Sequence, residues 1–256
     1  MTALAGHHLL DDGHPKRTRS RAATVLLAAA IMLGIAVLTA LGIWQLQRRV
    51  WKLDLIATVE QRIHAAAVPA PGPAYWPHVD ATHDVYRRVS VSGMFRNDRE
   101  TLVQASTELG GGYWVMTPFK ADDGFVVLIN RGFVPPDLKD PAKRASGQIS
   151  GETSVTGLMR MTEPKGGFLR SNDPASDRWY SRDVAEISAK RGLADTAPYF
   201  IDAEGSAPGG PVGGLTVVSF PNNHLVYALT WFGLAALLAV WAVVLIREER
   251  QQRAPS

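Results

Sequence analysis

Two uncharged apolar runs, residues 22–46 and 225–246, constrain what this chain can fold into more than any other feature of its 256 residues. Each supplies the ~20 apolar residues that a helix needs to cross a bilayer. A signal peptide would carry an apolar core of roughly 7–15 residues followed by a small-residue cleavage site. The first run is longer and flows directly into Trp44-Gln45-Leu46-Gln47-Arg48-Arg49, so it reads as a retained membrane helix. Two crossings place both termini on one side of the bilayer. Lys16, Arg17, Arg19 and Arg21 before the first run, and Arg247, Arg250 and Arg253 after the second, assign that side to the cytoplasm. Arg48, Arg49 and Lys52 oppose this locally, but a long intervening domain translocates largely regardless of charge. The expected organisation is a basic cytoplasmic tail (1–21), a first transmembrane helix (22–46), a periplasmic domain (47–222), a second transmembrane helix (223–246) and a cytoplasmic tail (247–256). The amino terminus contains Asp11 and Asp12 and so departs from the acid-poor peptide of mitochondrial import. The expected location is therefore a bacterial inner membrane.

Beyond Arg48 the first helix is expected to continue, because Leu53, Ile56, Val59 and Ile63 recur at near-helical spacing. Pro69, Pro71, Pro73 and Pro77 then stop it and form an extended linker. After the linker the period approaches two. Residues 85–91, 101–104, 113–119, 125–130, 154–159, 199–201 and 215–220 read as strands. Gly110-Gly111-Gly112, Asp122-Asp123-Gly124 and the 205–214 loop read as the turns between them. A short helix over 183–191 should end at Gly192. The fold class is thus α+β in a membrane protein, with two transmembrane helices flanking a mostly antiparallel β domain, barrel-like or sandwich-like.

Composition removes several functions. The chain has no cysteine, which excludes disulfides, thiolate metal sites and covalent haem attachment through a Cys-x-x-Cys-His motif. Its formal net charge of +3 is too small to suggest nucleic acid. His7, His8 and His14 sit in a polar tail. His78, Asp80, His83 and Asp84 cluster after the prolines and offer oxygen and nitrogen ligands, but nothing in the sequence orders them. The glycines of Gly209-Gly210-Pro211-Val212-Gly213-Gly214 lack the lysine and the following helix of a phosphate loop, so they read as a turn. No nucleophile elbow or zinc-protease motif is present, and no enzyme activity is expected. Arg131 ends the most apolar strand; it either binds a carboxylate ligand or pairs with an acidic neighbour.

The membrane boundary holds the remaining candidates. Asn222-Asn223-His224 precedes the second run, where either asparagine can cap the free N–H groups of the first turn. An ionisable side chain at this depth marks a functional site by default. Tyr227 and Trp231 follow His224 on one helical face, and Trp44 and Gln45 lie level with it at the outer end of the first helix. Interfacial anchoring alone accounts for Trp44, Tyr227 and Trp231. The alternative is a haem: an imidazole to ligate iron, flat aromatics to pack the macrocycle, and Arg48 and Arg49 for the propionates. The partial positive charge of a helix N terminus favours the neutral ring that a metal requires. Met32 lies too deep to serve as a second axial ligand.

The chain resembles the surfeit locus protein 1 family. The resemblance starts with Leu41-Gly42-Ile43-Trp44-Gln45-Leu46-Gln47-Arg48-Arg49. It continues through Gly112-Tyr113-Trp114-Val115, Asn130-Arg131-Gly132-Phe133-Val134-Pro135, Trp179-Tyr180-Ser181-Arg182-Asp183 and the glycine-rich 208–214 loop. It closes with Asn222-Asn223-His224-Leu225-Val226-Tyr227-Ala228-Leu229-Thr230-Trp231. It implies two transmembrane helices around an extracytoplasmic domain and a role in maturing cytochrome c oxidase. It further implies that haem a is bound in transit from haem A synthase to oxidase subunit I, with His224 ligating the iron. The rival expectation is a haem-free scaffold that holds nascent subunit I. Arg131, Trp179 and Tyr180 are expected to serve the fold.

Overall fold

The computed structural model describes residues 20–253, apart from Phe168 and residues 216–219. Most of the amino-terminal tail, with His7, His8 and His14, lies outside the described residues. So does most of the strand expected over 215–220. The chain forms two compact units, one of residues 1–53 and 221–256 and the other of residues 54–220.

The first unit is a helix pair. Helix α1 runs Arg21–His64, its residues up to Leu53 belonging to this unit and those from Asp54 to the second. It continues past Arg48 as the apolar spacing requires and stops before the prolines. The other member, which closes the chain, runs His224–Arg253. Both helices are long and apolar enough to cross a membrane. They pack antiparallel, as paired positions along them show. Gln45 lies against His224, a side chain at Gly42 would meet Phe232, one at Gly34 would meet Leu238, and Thr24 approaches Glu249. The less exposed positions of the closing helix include 224, 228, 231, 235, 238, 242, 245 and 249. They alternate steps of four and three, the spacing of a coiled-coil seam. Gly42 leaves no room for a side chain, since a Cβ there would lie 2.5 Å from the Phe232 ring. Small residues permit close approach where lipid removes any hydrophobic drive between helices. Outside the seam, Leu33, Leu229, Leu237 and Val240 are exposed, as lipid-facing side chains would be.

The second unit is a twisted β domain. Its strands are β1 (Val68–Pro69), β2 (Arg88–Phe95), β3 (Thr101–Thr107), β4 (Gly110–Ala121), β5 (Val126–Val134), β6 (Glu152–Met161) and β7 (Thr196–Ala203). Two short helices, α2 (Ala81–Asp84) and α3 (Val184–Arg191), join them, so the closing helix is α4. The sheet order is β1-β2-β6-β7-β5-β4-β3. Residues 93–95 of β2 also pair with residues 119–121 of β4, which closes β2, β6, β7, β5 and β4 into a barrel. Gly93 makes that closure: its φ is +152° and a Cβ would stand 2.1 Å from the Lys120 carbonyl oxygen. All pairings are antiparallel except β1 with β2 and β5 with β7. The barrel interior holds Val89, Phe119, Phe125, Val127, Ile129, Met159, Tyr199 and Ile201, all essentially without solvent exposure. Each large apolar side chain buried in this way stabilises the domain by about 1.5–3 kcal/mol. Trp179, Leu128, Phe200 and Ile187 form a second cluster under α3. Asp183 caps α3 at the Glu186 amide and Gly192, in the left-handed conformation, ends it.

Three local expectations are corrected. The expected strand over 85–91 begins only at Arg88, because Asp80 caps α2 at the His83 amide and Tyr86 adopts a positive φ. The glycines 110–112 are not a turn but the start of β4, paired with residues 105–107. Gly112 is required there, since a Cβ would lie 2.3 Å from the Val134 carbonyl oxygen. The proline linker also contributes β1, which pairs with Val89 and Ser90.

Candidate functional site

His224 is the first residue of α4. The Asn223 carbonyl accepts the Tyr227 amide at 3.2 Å, so Asn223 holds the N-cap position. Asn222 does not cap through its side-chain oxygen, which is buried without a hydrogen-bond partner among the described residues. The His224 ring is half-buried. Its Nδ1 lies 2.7 Å from Gln45 Oε1 on α1, a residue 179 positions away in sequence. An amide oxygen is an acceptor, so Nδ1–H donates to it. The neutral imidazole then carries its lone pair on Nε2. Among the described residues Nε2 has no hydrogen-bond partner. This arrangement matches the way a metal-ligating histidine is usually held: one ring nitrogen oriented by an acceptor, the other left for the metal.

The other residues singled out in the sequence surround this pair to different degrees. Trp44 and Tyr227 are half-exposed, at 50% and 55%, and Trp231 is partly buried on the seam. Among the described residues these three rings make no ring–ring contact with one another. The Arg48 guanidinium lies over the Trp51 ring, 4.6 Å from its centroid. Arg49 is partly buried. Neither Arg48 nor Arg49 has a carboxylate within ion-pair distance among the described residues. A cavity within the helix pair, of about 160 Å³, lies at its opposite end and is lined by Ile31, Leu245 and Glu249 among others. Sequence reasoning missed the Gly42–Phe232 contact that brings the helices together beside the histidine. Its signal was present as two glycines, 34 and 42, eight residues apart on an apolar helix.

The other candidates resolve as structure. Asp80 and His83 serve α2, with Nδ1 of His83 2.8 Å from Asp80 Oδ2, and buried Asp84 pairs with Arg87 at 3.1 Å. No group of three or more potential metal ligands occurs among the described residues. In the glycine-rich loop, Val212 pairs with Phe133 of β5, and Gly132 packs on the Val212 carbonyl. Trp179 is buried, with its indole N–H donating to Asp177 at 2.7 Å.

Comparison with known proteins decides the family. A family model described as the SURF1 family matches residues 32–236, from within α1 to within α4. The chain belongs to the SURF1 family. It is 38% identical over 217 residues to surfeit locus protein 1 of Homo sapiens, covering 77% of this chain and 69% of the human one. It is 37% identical over 214 residues to the Rattus norvegicus protein of the same name, covering 77% and 68%. A SURF1-like protein of Monosiga brevicollis is 38% identical over 229 residues, covering 82% and 84%. The matched region takes in the end of the helix pair at which Gln45 and His224 meet.

Proposed function

We propose that this chain is a non-enzymatic assembly factor for cytochrome c oxidase that binds haem a and assists its insertion into subunit I. Membership in the SURF1 family by itself implies a role in assembling that oxidase. The haem reading rests on the helix pair, and one observation carries it: the hydrogen bond from His224 Nδ1 to Gln45 Oε1. That bond fixes the tautomer and leaves Nε2 as the donor a haem iron accepts. Half-exposed Trp44 and Tyr227, with Trp231, supply apolar faces for a macrocycle. Arg48 and Arg49, without carboxylate partners among the described residues, supply cations for propionates. When bound, the iron contributes an open coordination position to which one imidazole binds. The protein's part is to orient that imidazole and to hold the porphyrin loosely enough for release.

In this reading the helices anchor the chain in a bacterial inner membrane with the β domain in the periplasm, and haem A synthase is the donor. The test is co-expression with haem A synthase, purification and a visible spectrum of the wild type and His224→Ala side by side. A Soret band in the wild type that the variant loses is expected. A wild type purified without stoichiometric haem refutes the carrier role and leaves a scaffold that grips nascent subunit I.

A further inference from the structure

Arg131 is 5% exposed on β5, deep in a domain where a charge needs a counter-charge. Its guanidinium donates to the Gly147 carbonyl oxygen and, at 3.4 Å, to Asn97 Oδ1, and it lies 4.8 Å from the centroid of the Phe95 ring. These are neutral partners. The nearby carboxylate, Glu100, is already engaged by both terminal nitrogens of Arg144, whose side chain is 1% exposed. Among the described residues no carboxylate lies within ion-pair distance of Arg131. Arg131, Arg144 and Glu100 therefore leave one buried positive charge over. Burial pushes the Arg131 pKa down, and the Glu100 carboxylate offsets part of that. The contrast with Arg182 in the same domain is direct: Arg182 is answered by Glu163 at 2.5 Å and by Asp202 at 3.2 Å.

The surplus charge borders a cavity. Arg131 lines a pocket of about 290 Å³, with Phe95, Thr153, Thr156, Ala207 and Pro211 on its walls. That volume is close to the lower end of the range for small-ligand sites. The other ionisable group on its wall, Glu204, is held by Arg88 through two hydrogen bonds of 2.8 Å. The cavity also runs beside a vacated sheet edge. Strand β7 pairs with β6 only from Gly157 onward, and the Glu204 amide makes the last contact, to the Thr156 carbonyl. Among the described residues, 152–156 of β6 keep β2 on one side and have no strand on the other.

We infer that this cavity is a binding site for a monoanionic carboxylate with a short apolar stem, held by the buried Arg131 guanidinium. A guanidinium matches a carboxylate through paired N–H donors. Phe95, Val155, Ala207 and Pro211 suit the stem, and the threonine hydroxyls can complete the oxygen's hydrogen bonds. Two sources share this chemistry, a free small carboxylate and the C-terminal carboxylate of a polypeptide lying along the open edge of β6.

The test is calorimetric titration of the full chain in lipid nanodiscs with isobutyrate and with an acetylated valine-terminated tetrapeptide, each beside its amide. Saturable binding of at least one acid, about tenfold or more tighter than its amide, is expected. Tighter binding of the peptide acid assigns the site to a polypeptide end, and equal or tighter binding of isobutyrate assigns it to a free acid. Arg131→Lys should weaken the acid by about tenfold or more, since it loses the planar fork. Ala207→Leu fills the cavity from its loop side and should abolish binding without lowering the melting temperature, which separates ligand loss from misfolding of an Arg131 variant. No saturation by either acid, equal binding of acid and amide, or unchanged binding to Ala207→Leu overturns the inference.

Discussion

Replacing Gln45 by leucine isolates what the hydrogen bond to His224 would do for the proposed haem ligation. The bond is short, 2.7 Å, and joins two helices of one compact unit. As a contribution to stability it is modest. A typical intramolecular hydrogen bond nets about 0.5–1.5 kcal/mol, and those between membrane helices average about 0.6 kcal/mol. The helix pair should therefore survive the change. Its effect on a metal ligand is expected to be larger. Removing the partner that orients a ligating histidine costs about 10–100-fold in metal affinity, or about 1.4–2.8 kcal/mol at 1.4 kcal/mol per decade. The excess over the bond's own energy is the cost of freeing the ring and its tautomer. The assay is titration of haem-free protein in detergent, followed at the Soret band, for wild type, Gln45→Leu and His224→Ala. Gln45→Leu should shift the binding midpoint by one to two decades, and His224→Ala should remove the axial signature altogether. An unchanged midpoint in Gln45→Leu, with His224→Ala unable to ligate, refutes the argument that this contact positions the ligand. Wild-type behaviour in His224→Ala refutes the site itself.

Further outcomes follow from packing and charge. Gly42→Leu places side-chain atoms where the Phe232 ring stands, 2.5 Å from an added Cβ. It should destabilise the helix pair by about 1–3 kcal/mol, and adding Phe232→Ala should restore part of the loss in thermal unfolding of the detergent-solubilised chain. Glu100→Gln leaves the buried Arg144 guanidinium without its anion. A loss of about 3–5 kcal/mol is expected in denaturant unfolding; a loss below about 1 kcal/mol would mean that the pair is not a determinant of the fold. Acid should unfold the β domain before mild base does. Burial pushes the Glu163 carboxyl up, but hydrogen bonds and charge from Arg182 outweigh this and hold it below the ordinary range. Hydrogen bonds from Arg178 and Ser176 pull Asp173 down to about 2. A carboxyl with a depressed folded pKa contributes stability that is present above its unfolded value, about 4. That contribution is lost as pH falls through the folded value. The melting temperature should thus be flat from neutrality to about pH 5 and decline below about pH 4, with a smaller decline in Glu163→Gln.

The helices were legible because the bilayer requirement is written as length without charge, and residues 22–46 and 225–246 meet it outright. β2 and β6 were legible because their alternation answers to one buried face, and β5 because it is a continuous apolar run buried on both. Their ends were not, because ends are set by contacts remote in sequence. Arg88, not Val85, opens β2 because Asp80 and Asp84 stabilise a helical turn just before it. Glycines 110–112 carry the composition of a turn, yet they pair with residues 105–107 as a strand, and Phe133 and Val134 exclude a side chain at Gly112. At the helix boundary, His224 was visible from its place in the sequence, and Gln45 from its expected depth. Their direct bond was not readable, since it depends on the rotation of α1 about its own axis. Gly42 sets that rotation by admitting Phe232. Arg131 shows the same limit differently: its type and place were plain, but two partner assignments stayed open. The structure gives Glu100 to Arg144, and the surplus charge on Arg131 emerges only from that pairing.

The identity of the residue at position 45 bears on release as well as on capture. A carboxylate behind a ligating histidine raises the basicity of the ring and strengthens the bond to the metal. An amide orients the ring without adding a charge. It also avoids placing an anion at a depth where an unpaired charge is expensive. A protein that stores haem gains from the first arrangement, whereas one that hands haem on gains from the second. Gln45 beside His224 is the second arrangement. One imidazole, oriented by an amide at the end of a helix pair, would bind without committing, which is the property the proposed transfer role demands.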